Sequence, residues 1–284
     1  MTTATRHIAI IIVLFNPQAD DIEHARRLAE RYRGCIVDNS ATPFTTEERI
    51  GLMHYQCNHG NRGIAEAQNI GIRQLQDDAD ISHFVFLDQD SRIAIDFPQQ
   101  MVSAFDSAAQ RHRLAVLGPQ PIHKETNEAY QSAIHKDTVL DDGSFIPRRE
   151  VISSGCCIAR QTLTDVGLFD QALFIDDVDY EWCWRAEAKG YVCGITPRVT
   201  MRHQVGRREL HFGAYTVIIS APVRYYYQYR NYLWLLRRGY VPLQWKLAVG
   251  LKYALRFVYF PLFVRGGVER WRHMCRGISD GLRR

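Results

Sequence analysis

The sequence Phe84-Val85-Phe86-Leu87-Asp88-Gln89-Asp90 decides the fold class of this chain. Its four apolar residues form a run short enough to be a buried strand, and two acids follow directly. Because one residue separates Asp88 from Asp90, an extended chain would point both carboxylates in the same direction, where they could bind one divalent cation. Open α/β sheets bind ligands at the carboxyl ends of their strands. The stretch therefore predicts an acidic ligand site, and a solvated turn is the alternative.

Short apolar runs alternate with amphipathic segments through the first 118 residues. This alternation is typical of parallel βαβ units and predicts an α/β domain. In the first predicted helix the apolar residues lie on one helical face, opposite three arginines. The predicted strands span residues 8–15, 34–38, 52–57, 82–87 and 114–118, and the predicted helices span 20–33, 61–76 and 97–111.

The pattern changes after residue 118. Residues 119–152 are polar and irregular, with a glycine and several prolines, which predicts loops and short strands that need not join the main sheet. A flexible segment that covers a substrate would have this composition. A helix is predicted over 179–188, ended by Gly190, and a further strand over 191–195.

Length and charge predict one catalytic domain, residues 1–221, and a C-terminal helical extension, residues 222–284. The net charge of +4 hides an asymmetry between the two parts. The extension carries thirteen Lys/Arg against two acids, whereas the first 221 residues carry twenty-two against twenty-nine. A strongly basic extension favours an anionic partner.

The seven cysteines include no C-x-x-C pair, and their odd number argues against a disulfide framework. We therefore expect a reducing, cytoplasmic compartment. The most apolar run, residues 8–15, is too short to span a membrane, and Asn16-Pro17 ends it without a cleavage site. It is predicted to be a central strand.

Two further segments offer groups for a nucleotide. Asp38-Asn39-Ser40 follows a predicted strand, where a carboxylate can accept hydrogen bonds from a base or a ribose hydroxyl. A helix cap or an Asx turn explains it equally well. The segment Asn61–Gly71 starts a helix whose amino terminus, with Arg62, could meet a diphosphate; an ordinary capped helix is the alternative.

Acids are crowded at Asp176-Asp177-Val178-Asp179-Tyr180-Glu181, beside large aromatic residues. Mutual repulsion and partial burial would raise the pKa of at least one carboxyl toward a value useful to a general base, and Asp179 is the candidate. A solvated helix start is the alternative. His203 follows a predicted strand and could bind a metal or a phosphate, although a lone histidine is more often structural.

In their order along the chain, these motifs resemble the family 2 glycosyltransferases of the GT-A fold, and more narrowly the bacterial rhamnosyltransferases. The resemblance covers about residues 8 to 205 and implies a Rossmann-like mixed sheet that binds a nucleotide-diphospho-sugar. The matching stretches are residues 11–16, 37–39, 61–71, 87–90, 153–155, 167–170, 173–176 and 178–181, with Arg185 and His203.

The resemblance also implies roles for single residues. Asp179 would be the catalytic base of an inverting displacement, with Glu181 orienting the acceptor, although the family often has Glu where Val178 stands. Asp88, Asp90 and His203 would form the metal site, for Mg²⁺ or Mn²⁺. The residues implied to bind the nucleotide sugar are Phe15, Asn16, Asp38, Asn61, Arg62, Asp88 and Gly155.

The narrower resemblance implies dTDP-β-L-rhamnose as donor, an α-L-rhamnoside as product, and a lipid-linked glycan acceptor in bacterial surface polysaccharide synthesis of the O-antigen type. Two alternatives remain open. The same reaction could use a UDP-hexose or UDP-galactofuranose, which competition between dTDP and UDP would distinguish. A non-catalytic protein that binds a sugar nucleotide or a lipid carrier would show no turnover.

The extension begins with an aromatic and basic segment, Val223–Tyr232, which is predicted to be a helix. Residues 243–264 are mostly apolar, with Lys246, Lys252 and Arg256 grouped on one side and with Gly250 and Pro261 as expected interruptions. This pattern favours a helix in the interface of an anionic membrane, on the cytoplasmic side. A helical cap packed on the domain and an oligomerisation element are the alternatives, and no RNA-binding motif is present.

Overall fold

A computed structural model describes residues 7–123, 139–203, 209–212 and 215–283. Its centre is a nine-stranded mixed sheet, and a separate two-stranded hairpin follows. The strands of the main sheet are β1 (Ile8–Leu14), β2 (Arg33–Asp38), β3 (Arg49–Ile50), β4 (Met53–Cys57), β5 (His83–Asp88), β6 (Leu114–His123), β7 (Ile146–Pro147), β8 (Cys157–Ala159) and β9 (Val192–His203); the hairpin is β10 (Glu209–Phe212) and β11 (Tyr215–Ile218).

Helices cover both faces of the main sheet, whose strand order is β3-β4-β2-β1-β5-β8-β6-β9-β7. Strands β4, β2, β1 and β5 run parallel, which confirms the predicted βαβ half. The helices are α1 (Ala19–Ala29), α2 (Ile64–Gln74), α3 (Phe97–Ala109), α4 (Arg160–Val166), α5 (Val178–Ala188), α6 (Pro222–Leu236), α7 (Leu243–Phe263) and α8 (Gly267–Leu282).

Strand β1 is buried over its whole length and divides the core in two. Ala9, Ile11 and Val13 face the cluster that contains α2, while the alternating isoleucines face the cluster that contains α1 and α3. Successive side chains of a strand point to opposite faces, so a continuous apolar run is what a strand covered on both sides requires. Its carboxyl end therefore lies at a fixed edge beside the end of β5.

The second half of the sheet extends beyond the prediction, and β9 runs to His203 instead of ending at residue 195. Strand β6 extends five residues further than residue 118, because its pairing with β9 continues past an irregularity at Pro119 and Gln120. Strand β7 lies in the segment whose predicted short strands could join the main sheet or not, and it pairs antiparallel with β9 at the sheet edge. The prolines and polar residues hid these features, since they break the alternation that identifies a strand.

The predicted interruptions of the apolar helix are wrong, because α7 is continuous through Gly250 and Pro261. Gly250 leaves room for a neighbouring helix: a Cβ at this position would lie 2.2 Å from the hydroxyl oxygen of Tyr232. Pro261 lies in the last turn, where the helix is about to end. The glycine is thus a packing residue and not a helix breaker.

The described part of the chain contains no helix that is both long enough and apolar enough to cross a membrane. All seven cysteines are free, and five of them are buried.

Candidate active site

Asp88 ends strand β5, and its surroundings disfavour a negative charge. The pKa of its carboxyl is raised to about 7, mainly by burial and then by the charges of Asp90 and Asp179, whereas a hydrogen bond from the Ser154 hydroxyl opposes the rise. Ser154 is itself held by Ser91, at 2.6 Å between the hydroxyl oxygens. The structure thus brings three sequence-predicted acids together at one edge of the sheet.

This edge fits a hard divalent cation that shares its coordination with a substrate. Carboxylate oxygens are the ligands preferred by Mg²⁺ and Mn²⁺, and Mg²⁺ is commonly held by one or two carboxylates plus substrate phosphates. None of the ion pairs within the described residues includes Asp88 or Asp90. No group of three His, Cys, Asp or Glu there is arranged to hold a metal alone. The side chain of His203, the third predicted ligand, lies outside what the structure describes.

Phe15 and Asn16 form a rim beside the acids. The Phe15 amide donates to Gln89 Oε1 at 2.7 Å, and the Asn16 amide donates to Ser40 Oγ at 2.7 Å. The Phe15 ring is 47% exposed, which is unusual for a large apolar side chain at the end of a buried strand. An exposed ring beside a polar edge is suited to stacking on a nucleobase.

Asp38 lies at the end of β2 and is fully buried. Tyr55 donates its hydroxyl to Asp38 Oδ2 at 2.8 Å, and the Ser40 amide donates to Asp38 Oδ1 at 2.9 Å, which is an Asx turn. The hydrogen bond and the charge of Asp38 contribute, after burial, to raising the pKa of Tyr55. Both carboxylate oxygens already have donors, so direct contact with a nucleoside stays a prediction.

The amino terminus of α2 is fixed by an amide network that continues from β2. Asn39 donates to the Gly63 carbonyl at 3.1 Å and accepts from Asn58 at 2.8 Å. Asn61 accepts the Gly63 amide at 2.9 Å. The side chains of Asn61 and Arg62 are exposed at this end, where a diphosphate could reach them.

The turn Ser153–Gly155 connects the two acidic regions. Gly155 has φ +78°, and a Cβ there would lie 2.7 Å from the sulfur of Met201. Both the backbone conformation and the lack of space therefore exclude a larger residue. The Gly155 amide donates to the Phe86 carbonyl at 2.7 Å, while the Ser153 amide donates to Asp179 Oδ2 at 3.2 Å. Gly155 therefore shapes the site through its backbone.

Asp179 lies in the first turn of α5. Burial raises the pKa of its carboxyl to about 6, and the nearby charge of Asp176 adds to the rise, while backbone hydrogen bonds from Ser153 and Tyr180 oppose it. A carboxyl with this pKa is ionised at neutral pH and remains a useful proton acceptor. The expected raised pKa is therefore found at the residue proposed as the base.

The other acids of this cluster have different surroundings. Asp176 pairs with Arg224 of α6. Asp177 has a buried oxygen, Oδ2, without a hydrogen-bond partner. Burial raises the pKa of Asp177 to about 7, with the charges of Asp176 and Asp179 adding to it. Four neighbouring acids thus include one that is neutralised by an arginine, one left unpaired and one bonded by backbone amides.

Glu181, the fourth acid, requires a correction. The predicted contact with an acceptor conflicts with its 1% exposure. Its carboxylate accepts two hydrogen bonds from Arg185, each at 3.0 Å, and one from the Tyr240 hydroxyl at 2.5 Å. Arg238 also lies 3.0 Å away. Because Glu181 is buried and both of its oxygens are occupied by protein donors, it joins α5 to the segment after α6 and does not face a substrate.

Sequence reasoning missed two residues of α6, Arg230 and Asn231. They bind backbone carbonyls of residues 172–176, the loop that leads into the acidic cluster. Both are buried. The available signal was an Arg-Asn pair within an aromatic helix, since these residue types are rarely buried without partners.

Solved structures with the same architecture are glycosyltransferases. S. aureus TarS (residues 1–349, with UDP-GlcNAc) superimposes with a TM-score of 0.56 at 14% identity, over 97% of this chain and 80% of that chain. GalNAc-T7 with UDP, GalNAc and Mn²⁺ superimposes with a TM-score of 0.52 at 14% identity, over 69% of this chain but only 42% of its own length. The fold is that of the GT-A glycosyltransferases.

Comparison of sequences gives the family. The chain is 31% identical to the dTDP-rhamnosyl transferase RfbF of Shigella flexneri over 249 residues, which are 84% of this chain and 82% of RfbF. No protein-family profile matches the sequence. The chain belongs to the rhamnosyltransferase family of RfbF and is a glycosyltransferase.

Proposed function

We propose that this enzyme transfers L-rhamnose from dTDP-β-L-rhamnose to a hydroxyl of a lipid-linked glycan, with inversion to an α-L-rhamnoside. The observation that supports it best is the proximity of Asp179 to Asp88, close enough for the charge of one to raise the pKa of the other. The proposed base would therefore lie beside the acids proposed to bind the metal and, through it, the diphosphate. Identity to a dTDP-rhamnosyl transferase supports the donor.

The chemical step is a single displacement. Asp179 accepts the proton of the acceptor hydroxyl as its oxygen attacks the anomeric carbon. The bond between that carbon and the diphosphate oxygen breaks, and the nucleoside diphosphate leaves. No covalent sugar intermediate forms, so one carboxylate is sufficient. The burial of Asp179 raises its basicity, and the amides of Ser153 and Tyr180 hold its orientation.

Asp88 and Asp90 would hold a divalent cation, Mg²⁺ or Mn²⁺, with His203 as the predicted third ligand. When bound, the cation would neutralise the charge of the leaving diphosphate. The Phe15 ring would stack on the nucleobase of the donor. The other residues proposed to surround the nucleotide sugar are Asn16, Asp38, Asn61, Arg62 and Gly155.

Donor selection tests this proposal. Purified enzyme would be titrated with dTDP-rhamnose, a UDP-hexose and UDP-galactofuranose, in Mn²⁺ and in chelator, while binding and donor hydrolysis are measured. We expect metal-dependent binding and turnover of dTDP-rhamnose. Preference for a UDP-sugar would leave the proposed reaction unchanged but would refute dTDP-rhamnose as the donor. TarS, which was solved with UDP-GlcNAc, makes this outcome a real alternative.

We also propose that the enzyme works on the inner face of an anionic membrane, as a peripheral protein. Helix α7 supports this, because seven large apolar side chains on it are between 63% and 69% exposed. Lys246 is turned away to cap α6, with its Nζ donating to the carbonyls of Leu236 and Arg238. The exposed apolar residues are Leu243, Leu247, Leu251, Leu255, Val258, Leu262 and Phe263.

An apolar face on a basic extension matches an anionic lipid surface better than a second copy of the chain, because two basic extensions would repel each other. Cosedimentation with vesicles tests this. We expect binding to anionic vesicles that decreases with salt, and loss of binding in Leu247→Glu/Leu251→Glu. Equal binding by the variant, or a dimer in solution that the variant dissolves, would contradict it.

A further inference from the structure

The loop before the base helix has a strained backbone. Phe174, Asp176 and Asp177 all have positive φ, between 61° and 67°. At Phe174, with ψ −64°, the Ile175 amide donates to the Leu173 carbonyl at 2.8 Å, which makes a γ-turn of the rare, unfavourable hand. Residues other than glycine persist in such conformations only where their surroundings hold them.

Asn231 of α6 makes three of the hydrogen bonds that keep the loop in this conformation. Its side-chain amide donates to the carbonyls of Leu173 at 2.9 Å, Ile175 at 2.9 Å and Asp176 at 3.1 Å. The side chain is fully buried, so no water competes for these bonds. One amide group therefore bonds carbonyls on both sides of the γ-turn.

Arg230 completes the arrangement. Its guanidinium donates to the carbonyls of Ala172 at 2.7 Å and Leu173 at 3.0 Å, and to Asn231 Oδ1 at 2.8 Å. The last contact fixes the orientation of the Asn231 amide, because an oxygen facing Arg230 turns the nitrogen toward the loop. The guanidinium also lies 4.2 Å from the centre of the Trp234 ring, which limits its movement.

The loop also contacts both sides of the site. The Phe174 carbonyl accepts the Ile64 amide, at the start of α2, at 2.8 Å, and the Phe174 ring stacks on Tyr227 with a centroid distance of 4.5 Å. At its other end Asp177 is the N-cap of α5, two residues before Asp179. A shift of the loop would therefore move the proposed base relative to the donor.

We propose that Arg230 and Asn231 are positioning residues for the glycosyl transfer: they hold the strained loop 172–177, and through it set the position of Asp179. This rests on the proposed function, in which Asp179 is the base. Neither residue touches the reacting atoms. The basic extension thereby contributes to catalysis through α6, in addition to any role at a membrane.

The test compares Arg230 of α6 with Arg237, the residue that caps the carboxyl end of that helix. Arg230 binds loop carbonyls, whereas Arg237 donates to the Gly281 carbonyl of α8, at 3.1 Å, within the extension. We expect Arg230→Lys to reduce kcat by roughly ten- to a hundredfold, since small displacements of a reacting group have effects of this size. Arg237→Lys should change kcat less than threefold. The dissociation constant of the donor should stay within threefold of wild type in both.

Asn231→Asp gives a second, nearly isosteric test. It retains an oxygen toward Arg230 but places another against the loop carbonyls, so kcat should fall at least as far as in Arg230→Lys. Circular dichroism and thermal melts would verify folding. Equal kcat in the two arginine variants, or a loss of donor affinity that accounts for the whole effect, would overturn the proposal. Asp179→Asn is measured in parallel: its full activity would refute the base assignment, separately from the positioning role.

Discussion

The two acidic regions of the site resemble each other in composition but not in how their charges are balanced. Asp88 and Asp90 have no arginine or lysine partner among the described ion pairs, and the charges that act on Asp88 are those of the carboxylates Asp90 and Asp179. The acids at 176–181 are supplied with arginines from α5, α6 and the segment after it. An acidic region without its own cations is suited to binding an external one, whereas the second region is built to keep one carboxylate in place.

The largest effect should come from the second region. Asp179→Asn removes the proposed proton acceptor with almost no change of shape, so kcat should fall by roughly 10³-fold while the donor still binds. Steady-state kinetics with dTDP-rhamnose and calorimetric donor titration measure the two quantities. Asp77→Asn, an exposed acid after α2, is the control. More than a tenth of wild-type kcat in Asp179→Asn would mean that another group accepts the proton.

The first region is tested by Asp90→Ala. We expect a loss of roughly 10²-fold in turnover and a higher Mn²⁺ concentration for half-activation, because one of the few proposed metal ligands is removed. Metal titrations of activity measure this. An unchanged metal requirement in Asp90→Ala would contradict the proposal that the first region, unlike the second, binds an external cation.

Glu181→Ala separates structure from chemistry within the second region. It leaves Arg185 and Arg238 without their buried partner, so the free energy of unfolding should fall by about 3 kcal/mol. Glu187→Ala, on the same helix, breaks only a 3.8 Å pair with Arg149 and should cost less than about 1 kcal/mol. Urea denaturation measures both. If Glu181→Ala were as stable as wild type, its ion pairs would contribute nothing.

Asp177→Asn should stabilise the protein at high pH. Burial raises the pKa of Asp177 to about 7 in the folded state. The folded protein therefore binds the proton more tightly than the unfolded chain, and this residue reduces stability progressively as pH rises through that range. We expect a gain of about 2 kcal/mol at pH 8 and little at pH 4, less than the full shift implies because water reaches part of the side chain. Asp176→Asn, which loses the Arg224 pair, should show no such gain.

The smallest effect is in the pH dependence of the rate. Since the pKa of Asp179 is raised to about 6, the base becomes protonated below that pH, and kcat/KM should fall about tenfold per pH unit there. A profile from pH 4.5 to 8.5 with saturating Mn²⁺ would show it. An acidic limb near pH 4 would indicate an ordinary, exposed carboxyl.

Much of the sheet and the Asp88 edge could be predicted because they depend on local pattern. A buried strand is a short apolar run, and the residue after it is at the sheet edge whatever its neighbours are. The raised pKa of Asp179 could be predicted for a similar reason, because it is an acid among other acids at a helix start beside aromatic residues, whereas its role as the base stays a prediction. The different surroundings of the four acids within residues 176–181 were not predictable, because they depend on arginines about fifty residues away.

Asn231 shows the limit most clearly. Its partners are three backbone carbonyls that lie 55 to 58 positions earlier, and a carbonyl has no residue identity that a sequence could reveal. The surroundings of Lys246 could not be predicted for a related reason. The sequence groups this lysine with Lys252 and Arg256 on one side of α7, but its Nζ donates to the backbone carbonyls of Leu236 and Arg238.

Because α6 binds a loop that precedes it in the sequence, the parts of the site form in a fixed order during translation. Ribosomes extend a chain at about 5–20 residues per second, starting from the amino terminus. Asp88 and Asp179 therefore leave the ribosome before Asn231, and the nascent chain would possess its sheet and its acids before their spacing is fixed. We expect turnover to begin only when α6 has emerged, and ribosome complexes stalled at increasing chain lengths would locate that moment.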